Sequence, residues 1–309
     1  MYPQEVLEQL KKYIPPSKIK TNEPMKDHTS FKIGGPADIM VFPSSIEEIV
    51  ATVEICKQNS CPYFIMGNGT NLLVSDSGYR GVIVKTAANM KDCSIDGERV
   101  YGQAGILLST LSKNVIEAGL EGFEFAHGIP GTLGGAVAMN AGAYGGEIKD
   151  VLKWARLLTP EGDIKTYSNS RLKLGYRSSL VQAEGLIVLD CELVFKKGDR
   201  KQIDERIREY TQLRKSKQPL HLPSAGSIFK RPEGYYAGKL IEQAGLRGKR
   251  IGDAQVSELH CGFIVNVGNA TAQDVISLIN YVKDEVRDKF GVELQPEIKV
   301  VGDMGRIKV

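Results

Sequence analysis

The chain has 309 residues and a formal net charge of +3, with 40 lysines and arginines interspersed among 37 aspartates and glutamates. This balance provides no basic surface of the kind that binds nucleic acid, although it is compatible with small anionic ligands. The length suits two or three modules of ordinary size, which can enclose a ligand.

Cysteine usage and the N-terminal stretch indicate a reducing compartment. The five cysteines are odd in number and form no CxxC pair, so a disulfide framework is not expected. Residues 1–16 are charged and amphipathic, without the apolar core or cleavage site of a signal peptide. The uncharged stretch 125–146 contains seven glycines and Pro130, which favours a loop over a membrane helix. We therefore expect a cytoplasmic protein without membrane insertion.

The first block of the chain alternates helical and extended patterns. Ser44 followed by Glu47 predicts a capping box, and the apolar residues after it recur at helical spacing as far as Cys56. Three short apolar stretches follow, and a glycine loop, 67–71, separates the first of them from the second. These stretches are predicted strands at 62–66, 72–74 and 81–85.

The later blocks contain strands, a charged helix and a final helix. The second block is strand-rich, with a helical stripe from Leu107 that ends at Gly119. Residues 199–219 are highly charged and predict a solvated helix that links two modules. In the third block a helix is expected from its cap at Thr271 to Gly291, and a closing strand is expected over 292–302.

Two glycine-rich stretches are candidate sites for an anion or a cofactor. The loop 67–71, GNGTN, can point backbone N–H groups at an anion, and an ordinary tight turn is the alternative. The tract 127–146 is costly to fold, and close approach of a flat cofactor is one reason for so many glycines. A structural turn between modules is the alternative there. Neither stretch has a GxGxxG or Walker pattern, so a dinucleotide would not be held in the Rossmann manner.

Ser227 lies in the stretch 223–232, PSAGSIFKRP, where several roles are open to it. It could be a nucleophile, an anion ligand, a proton donor or a small residue in a turn. The GxSxG elbow of a hydrolase is absent, because Ala225 precedes the glycine and Phe229 replaces the second glycine. The Lys-Arg pair that follows predicts a loop facing an anion, with a solvated basic turn as the alternative.

The remaining polar residues give weaker signals. The four histidines show no HExxH or similar spacing and no CxxC accompanies them, so no metal site is expected. Redox chemistry would then require an organic cofactor. Arg177, between an aromatic residue and two hydroxyls, and Glu297, on the last predicted strand, are each unremarkable alone because most such side chains are solvated.

Eight stretches, in this order along nearly the whole chain, closely resemble the UDP-N-acetylenolpyruvoylglucosamine reductase (MurB) family. The ordered set is far more specific than any one of its members. The stretches are TSFKIGGPAD (29–38), GNGTNLLVSD (67–76), HGIPGTLGGAVAMNAGAYG (127–145), GYRSS (175–179), AGSIFKRP (225–232), AGKLIEQAGLRG (237–248), AQVSELHCGFIVN (254–266) and PEIK (296–299).

The resemblance implies an α+β protein with an FAD-binding fold of the vanillyl-alcohol-oxidase (PCMH) type in two subdomains, followed by a C-terminal α+β substrate-binding domain. Only 50 positions separate Arg177 from Ser227, which resembles the shorter subclass without an extra substrate-capping segment. A strand at about 300–309 is expected to return to the first subdomain. The implied boundaries are 1–85 and 86–198 for the FAD-binding subdomains, 199–219 for the linking helix and 220–299 for the substrate-binding domain.

The implied activity is NADPH-dependent reduction of UDP-N-acetylglucosamine enolpyruvate to UDP-N-acetylmuramate through non-covalent FAD, in the synthesis of peptidoglycan precursors for the cell wall. The partner would be a nucleotide sugar, and we expect a monomer. One alternative is another flavin oxidoreductase of this fold acting on a sugar or alcohol, with flavin attached to His127 or a cysteine. A nucleotide-sugar or anion-binding module without redox activity is the other.

The resemblance also places the site residues. Arg177, Ser227 and Glu297 match the family's catalytic residues. The candidates for covering the substrate diphosphate are Tyr176, Lys230, Arg231 and Lys239. The positions that match the family's FAD contacts are Gly67, Asn68, Gly69, Thr70, Asn71, His127, Gly128, Ile129, Pro130, Gly131, Gly134, Gly135, Asn140, Ala141, Gly142 and Ala143.

The implied reaction gives each catalytic residue a distinct task. Hydride addition leaves negative charge beside the substrate carboxylate, and Arg177 can bind that carboxylate bidentately. Ser227 can then donate a proton to the resulting carbanion. Glu297 has two possible roles: it could share a proton with the intermediate, or it could orient Arg177.

Overall fold

The computed structural model describes residues 2–304. The helices and strands of these residues are bounded as follows. The α-helices are α1 (Tyr2–Leu10), α2 (Ile46–Gln58), α3 (Leu108–Glu117), α4 (Leu133–Met139), α5 (Leu180–Ala183), α6 (Arg200–Lys217), α7 (Ala237–Gln243) and α8 (Ala272–Phe290). The strands are β1 (Ile19–Pro24), β2 (Pro36–Val41), β3 (Tyr63–Met66), β4 (Leu72–Val74), β5 (Tyr79–Lys85), β6 (Cys93–Asp96), β7 (Arg99–Gln103), β8 (Leu120–Glu121), β9 (Gly142–Ala143), β10 (Gly146–Glu147), β11 (Leu152–Leu158), β12 (Ile164–Ser168), β13 (Ile187–Val194), β14 (Lys196–Lys197), β15 (Ser224–Ser227), β16 (Arg250–Ile251), β17 (Ala254–Val256), β18 (Phe263–Asn266) and β19 (Lys299–Val301).

The chain divides into two compact units that are discontinuous in sequence. The first unit contains the chain up to Thr21, Ile39–Asn68 and Gly81–Arg214. The second contains Asn22–Asp38, Gly69–Arg80 and the chain from Lys215 onward. These units group residues differently from the domains expected from the sequence, whose boundaries at 85, 198 and 219 stay predictions.

The first unit is built on two sheets. One is an antiparallel sheet with the order β12-β11-β13-β7-β6. The other has the order β1-β2-β5-β3, with β3 parallel to β5, and most of its residues belong to this unit. Burial of the apolar face of each sheet stabilises both layers. One core surrounds α3, α4 and the antiparallel sheet, with Phe123 and Leu133 fully buried in it. The other lies under α1 and α2.

The second unit packs helices on a four-stranded sheet of order β15-β18-β17-β16. The long helix α8 contributes an apolar stripe to its core, from Val275 to Val286. Thr271 caps α8 through a capping box with Asp274, and Gly291 ends it with a φ of +67°. Both ends agree with the sequence prediction, because cap chemistry is local.

The structure corrects three local predictions. Ser45, not Ser44, caps α2 by accepting a hydrogen bond from Glu48 N at 3.3 Å. Only Lys299–Val301 of the predicted closing strand 292–302 is a strand, and it pairs in parallel with β4. Residues 305–309 of the strand expected at 300–309 lie outside the described residues. Ser224 follows a proline in the sequence, which predicts a turn residue, but it is the first residue of β15.

The charged helix α6 is held by polar contacts, which the sequence pattern did not indicate. Ile203 is its buried residue, and three of its arginines, including Arg214, reach the neighbouring segment 116–128. Arg200 donates to the carbonyl of Ile116 at 3.0 Å, and Arg206 pairs with the buried Glu124 at 2.7 Å. Tyr210 stacks on Tyr144 with ring centroids 4.6 Å apart. These contacts fix α6 within the first unit up to Arg214.

Candidate active site

The start of the loop 67–71 meets the glycine tract within the first unit. A Cβ on Gly67 would stand 2.1 Å from the hydroxyl oxygen of Thr132, so only glycine fits there. The side-chain amide of Asn68 donates to the carbonyl of Pro130 at 2.8 Å. The fold therefore brings together two stretches that are some 60 residues apart in sequence, both expected to contact the cofactor.

Several glycines of the tract have reasons within the protein itself. A Cβ on Gly134 would stand 2.8 Å from the Cβ of Ala104, and one on Gly142 would stand 2.7 Å from Cγ of Glu147. These positions need glycine for internal packing, so their glycines alone do not argue for a cofactor. The signal for a ligand lies in the polar groups of the same tract.

Polar groups at the start of the tract fit an anionic ligand. Among residues 2–304, two buried polar side-chain atoms have no hydrogen-bond partner, and these are His127 Nδ1 and Arg214 Nε. The backbone N–H groups of Gly128 and Gly131 find no acceptor within that part of the chain either. Free amides of a glycine-rich loop form the usual cradle for a phosphate. The residues at 127–131 therefore fit the diphosphate of FAD.

Arg177 lies at the tip of a tight turn in the first unit. Its φ is +53°, an unfavourable conformation for a non-glycine residue that is often found at functional sites. Its Nη2 donates to the carbonyl of Gly142 at 3.4 Å, and its guanidinium lies 5.3 Å from the ring centre of Tyr176. Asn140, which is also expected to contact FAD, donates its side-chain amide to the carbonyl of Gly175 at 3.0 Å. Asn140 thus supports the turn of Arg177.

The second unit brings Ser227 and Glu297 onto adjoining segments. The backbone N–H of Glu297 donates to the carbonyl of Ile228 at 2.7 Å, next to Ser227 in sequence. The same pairing continues from Lys230 N to the carbonyl of Gln295 at 2.9 Å. Asn71, another expected cofactor residue, donates its side-chain amide to the carbonyl of Glu297 at 3.1 Å. The backbone of Glu297 is therefore fixed from two sides.

Ser227 ends β15 beside an open glycine. Gly226 has a φ of +79° and no atom within 4 Å of where its Cβ would stand, which leaves room next to the serine. The Ser227 hydroxyl contacts two backbone carbonyls, those of Phe229 at 3.3 Å and Gly262 at 3.5 Å. Both contacts are long, so the hydroxyl is weakly engaged and can turn toward a ligand.

Two of the expected substrate-binding cations share one aromatic ring. The Arg231 guanidinium lies 4.0 Å from the ring centre of Tyr236, and Lys239 Nζ lies 5.6 Å from it. Tyr236 and Arg231 are exposed. This cluster forms a cationic surface in the second unit. Tyr176 belongs to the first unit.

Three residues of these sites were missed by sequence reasoning. Arg214 packs on Gly128 and donates Nη1 to its carbonyl, Tyr236 supports the two cations, and His260 lies against Gly262. Arg214 is distant in sequence from Gly128, and His260, although close to Gly262 in sequence, is distant from Gly238 and Ser227 on the neighbouring elements, so no local pattern revealed them. For Tyr236 the available signal was its position, since this tyrosine directly precedes the motif 237–248.

Other features of the described residues do not add to the site. Residues 2–304 hold no cluster of three or more His, Cys, Asp or Glu side chains that could bind a metal, and none of their helices is long and apolar enough to cross a membrane. A cavity of about 700 Å³ lies in the first unit among Glu124, Tyr144, Arg206 and their neighbours. None of the predicted site residues lines it.

Comparison with known proteins gives a consistent result. A family model described as FAD binding domain matches residues 37–168, and a model described as UDP-N-acetylenolpyruvoylglucosamine reductase, C-terminal domain, matches residues 218–301. The UDP-N-acetylenolpyruvoylglucosamine reductase of Alkaliphilus oremlandii is 56% identical over 294 residues, which cover 95% of this chain and 97% of the relative. That of Lachnoclostridium phytofermentans is 51% identical, covering 96% and 97%.

The structural comparison agrees. The crystal structure of UDP-N-acetylenolpyruvylglucosamine reductase (MurB) from Thermus caldophilus matches with a TM-score of 0.78 and 35% identity, covering 92% of this chain and 98% of that one. The fold is the FAD-binding fold of the vanillyl-alcohol-oxidase type with a C-terminal substrate-binding domain. The chain therefore belongs to the UDP-N-acetylenolpyruvoylglucosamine reductase (MurB) family, and it uses FAD and NADPH to reduce UDP-N-acetylglucosamine enolpyruvate to UDP-N-acetylmuramate in peptidoglycan synthesis.

Proposed function

We propose that Arg177, Ser227 and Glu297 are the catalytic residues of this reduction, and that the loops 67–71 and 127–143 hold the FAD. The pairing of Glu297 with the residue after Ser227 is the observation that carries the proposal for the second unit. It joins the backbone segments that contain two of the three family-matched residues. The protein acts in the cytoplasm as a monomer of the shorter subclass.

Residues 127–131 would hold the diphosphate of the cofactor. The free amides of Gly128 and Gly131 are donors for its oxygens, and His127 adds a buried ring nitrogen without a partner. Bound FAD supplies the hydride carrier between NADPH and the enolpyruvyl double bond. The chain's own residues then have to bind the substrate carboxylate and deliver a proton.

Arg177 stabilises the negative charge that develops next to the substrate carboxylate. A guanidinium is always charged and can bind a carboxylate with two parallel hydrogen bonds. A well-placed donor of this kind lowers a barrier by about 3–4 kcal/mol. The strained turn and the contact with the Gly142 carbonyl hold Arg177 in one place, which avoids the cost of organising it during the reaction.

Ser227 donates the proton that completes the product. A carbanion next to a carboxylate is basic enough to take a proton from a neutral hydroxyl, and the weak contacts of the Ser227 hydroxyl leave it available. Glu297 lies on the adjoining segment, where a carboxyl group can share a proton with the intermediate. Arg231, Lys239 and Lys230 bind the substrate diphosphate, with Tyr236 supporting the first two.

Replacement of Ser227 by alanine tests the assignment of the proton donor. We expect Ser227→Ala to leave flavin reduction by NADPH within twofold of the wild type, because that step needs no proton from the serine. Oxidation of the reduced flavin by the enolpyruvyl substrate should slow about 10²- to 10⁴-fold, the usual contribution of a general acid. Anaerobic stopped-flow absorbance follows both half-reactions separately.

Ser224→Ala is the matched control, since Ser224 lies on the same strand and its carbonyl rather than its hydroxyl accepts from Ser30 at 2.6 Å. It should leave both half-reactions unchanged. A Ser227→Ala variant that loses only flavin reduction by NADPH, with normal oxidation by substrate, would show that Ser227 is not the proton donor.

A further inference from the structure

His260 and Ser227 lie on either side of one glycine in the second unit. A Cβ on Gly262 would stand 2.9 Å from His260 Cε1 and 3.5 Å from Ser227 Oγ. The imidazole thus occupies the space next to the predicted proton donor, although 33 positions separate the two residues in sequence. A side chain at position 262 would displace one or both of them.

The backbone of Gly262 connects the histidine to the strand of Ser227. Its N–H donates to His260 Nδ1 at 3.0 Å. Its carbonyl accepts from the backbone N–H of Ile228 at 2.9 Å and contacts the Ser227 hydroxyl at 3.5 Å. The imidazole therefore holds the N–H of Gly262, while the carbonyl of the same residue accepts from the residue that follows Ser227.

The ring itself is fixed by its surroundings. It packs edge-on against Phe263, with ring centroids 5.2 Å apart, and a Cβ on Gly238 of α7 would stand 3.1 Å from its Cε1. The backbone N–H of His260 donates to the buried Ser257 hydroxyl at 3.3 Å. Glycines at 238 and 262 are needed for the imidazole to fit between α7 and β18.

A neutral imidazole is required for this arrangement. Nδ1 accepts a hydrogen bond only when it carries no proton, so the single ring proton must be on Nε2. Burial lowers the pKa of His260 below its usual value of 6.5, which favours that neutral form at pH 7. The charged groups facing it are Glu242, which opposes this shift, and Arg247, which reinforces it and pairs with Glu242. Lys239 follows Gly238 on α7.

We propose that His260 is a positioning residue for the proton donor Ser227, acting through the backbone of Gly262. The inference rests on the role proposed above for Ser227. Protonation of His260 at low pH removes the acceptor at Nδ1 and releases the Gly262 N–H. The contribution of this hydrogen bond is present above the usual histidine pKa and is lost as the pH falls through the lowered value in the folded protein.

Three variants test the proposal by anaerobic stopped-flow. His260→Ala should slow oxidation of the reduced flavin by the enolpyruvyl substrate roughly 3- to 10-fold, the range expected for one hydrogen bond, and leave reduction by NADPH within twofold. His260→Asn should restore most of the rate, because an asparagine amide oxygen can accept from Gly262 N–H in place of Nδ1. His221→Ala, at an exposed histidine of the same unit, is the matched control and should change neither step.

The pH dependence provides a second readout. The wild-type rate of flavin oxidation by substrate should fall as the pH drops through the lowered pKa of His260 in the folded protein, whereas His260→Asn should lack this step because an amide does not titrate. In addition, ¹⁵N NMR of the imidazoles at pH 7.5 should show His260 with its proton on Nε2. Exchange of the Gly262 amide hydrogen should be faster in His260→Ala than in His260→Asn.

The outcomes separate the two proposals. If Ser227→Ala slows the substrate step while His260→Ala does not, the positioning role is wrong and the proton-donor role stands. If neither variant affects that step, the role of Ser227 fails as well. A proton on Nδ1 of His260, or an unchanged pH profile in His260→Asn, would also overturn the positioning role.

Discussion

At the scale of single residues, Gly128 and Arg214 show how a glycine of the cofactor loop depends on a distant side chain. A Cβ on Gly128 would stand 2.7 Å from Arg214 Nε, so the arginine occupies the space that a larger residue would need. Arg214 also donates to the Gly128 carbonyl. The loop and the end of α6 are therefore coupled.

We expect Gly128→Ala to weaken FAD binding roughly 3- to 30-fold, because the new methyl group displaces Arg214 from the loop and breaks its hydrogen bond to the carbonyl. Arg214→Ala should weaken binding by a similar factor. The double variant should be no weaker than the worse single variant, since the clash is absent once the arginine is removed. Quenching of flavin fluorescence on adding FAD to the apoprotein measures all three.

Arg208→Ala removes an exposed arginine from the same helix and serves as the control, with unchanged FAD affinity expected. Fully additive losses in the Gly128 and Arg214 double variant would contradict the coupling.

At the scale of secondary structure, α8 illustrates both a predictable and an unpredictable cap. Its capping box from Thr271 and its terminal Gly291 could be predicted, since those signals lie within a few residues of the helix ends. Asp76 could not, because it comes from the segment after β4. Its carboxylate accepts from Ala272 N at 2.8 Å and Gln273 N at 3.2 Å.

Asp76→Ala should lower the free energy of unfolding by about 1 kcal/mol, because two N–H groups at the start of α8 lose their acceptor and a negative charge leaves the positive end of the helix. Urea denaturation monitored by circular dichroism measures the change. Glu54→Ala removes an exposed carboxylate from α2 without such a contact and should have little effect. Equal losses in both variants would argue against a capping role for Asp76.

The predicted elements that differed from the structure depended on tertiary partners. The closing strand shrank to three residues because it is a strand only where β4 pairs with it. Likewise, composition suggested a solvated α6, whereas Arg206, Tyr210 and Arg214 attach it to the first unit. Such contacts depend on residues far away in sequence, which periodicity and capping signals do not report.

At the scale of the whole molecule, the family and its chemistry could be predicted from ordered motifs, whereas the geometry around them could not. Ser227 and Glu297 were placed by resemblance, but their shared backbone pairing and the imidazole next to Gly262 appear only in the folded second unit. Contact of the two glycine-rich stretches with the cofactor stays a prediction, and only the folded structure reveals that Gly67, Gly134 and Gly142 serve internal packing.

Removal of FAD should destabilise the folded chain. A ligand that binds only the native state stabilises it by about 2.7 kcal/mol when its concentration is 100 times its Kd. The apoprotein should therefore melt several degrees below the holoprotein, and added FAD should restore the melting temperature in a differential scanning experiment. Riboflavin, which lacks the diphosphate and adenosine, is the matched control and should restore little.

Acid precipitation of the yellow protein should leave the flavin in the supernatant, as expected for a non-covalent cofactor. Flavin retained in the pellet would contradict this expectation. An apoprotein that melts at the holoprotein's temperature would show that the loops do not depend on FAD for their stability.

The pairing of β19 with β4 also has a consequence for biosynthesis. The second unit joins early segments, Asn22–Asp38 and Gly69–Arg80, to the chain from Lys215 onward, and β4 receives its partner only from residues 299–301. Because the ribosome emits the chain from the N-terminus, β4 must wait for almost the entire chain before its partner strand is available. Premature termination before β19 would leave β4 without this partner, and the unpaired N–H and C=O groups of its edge could then pair with another chain.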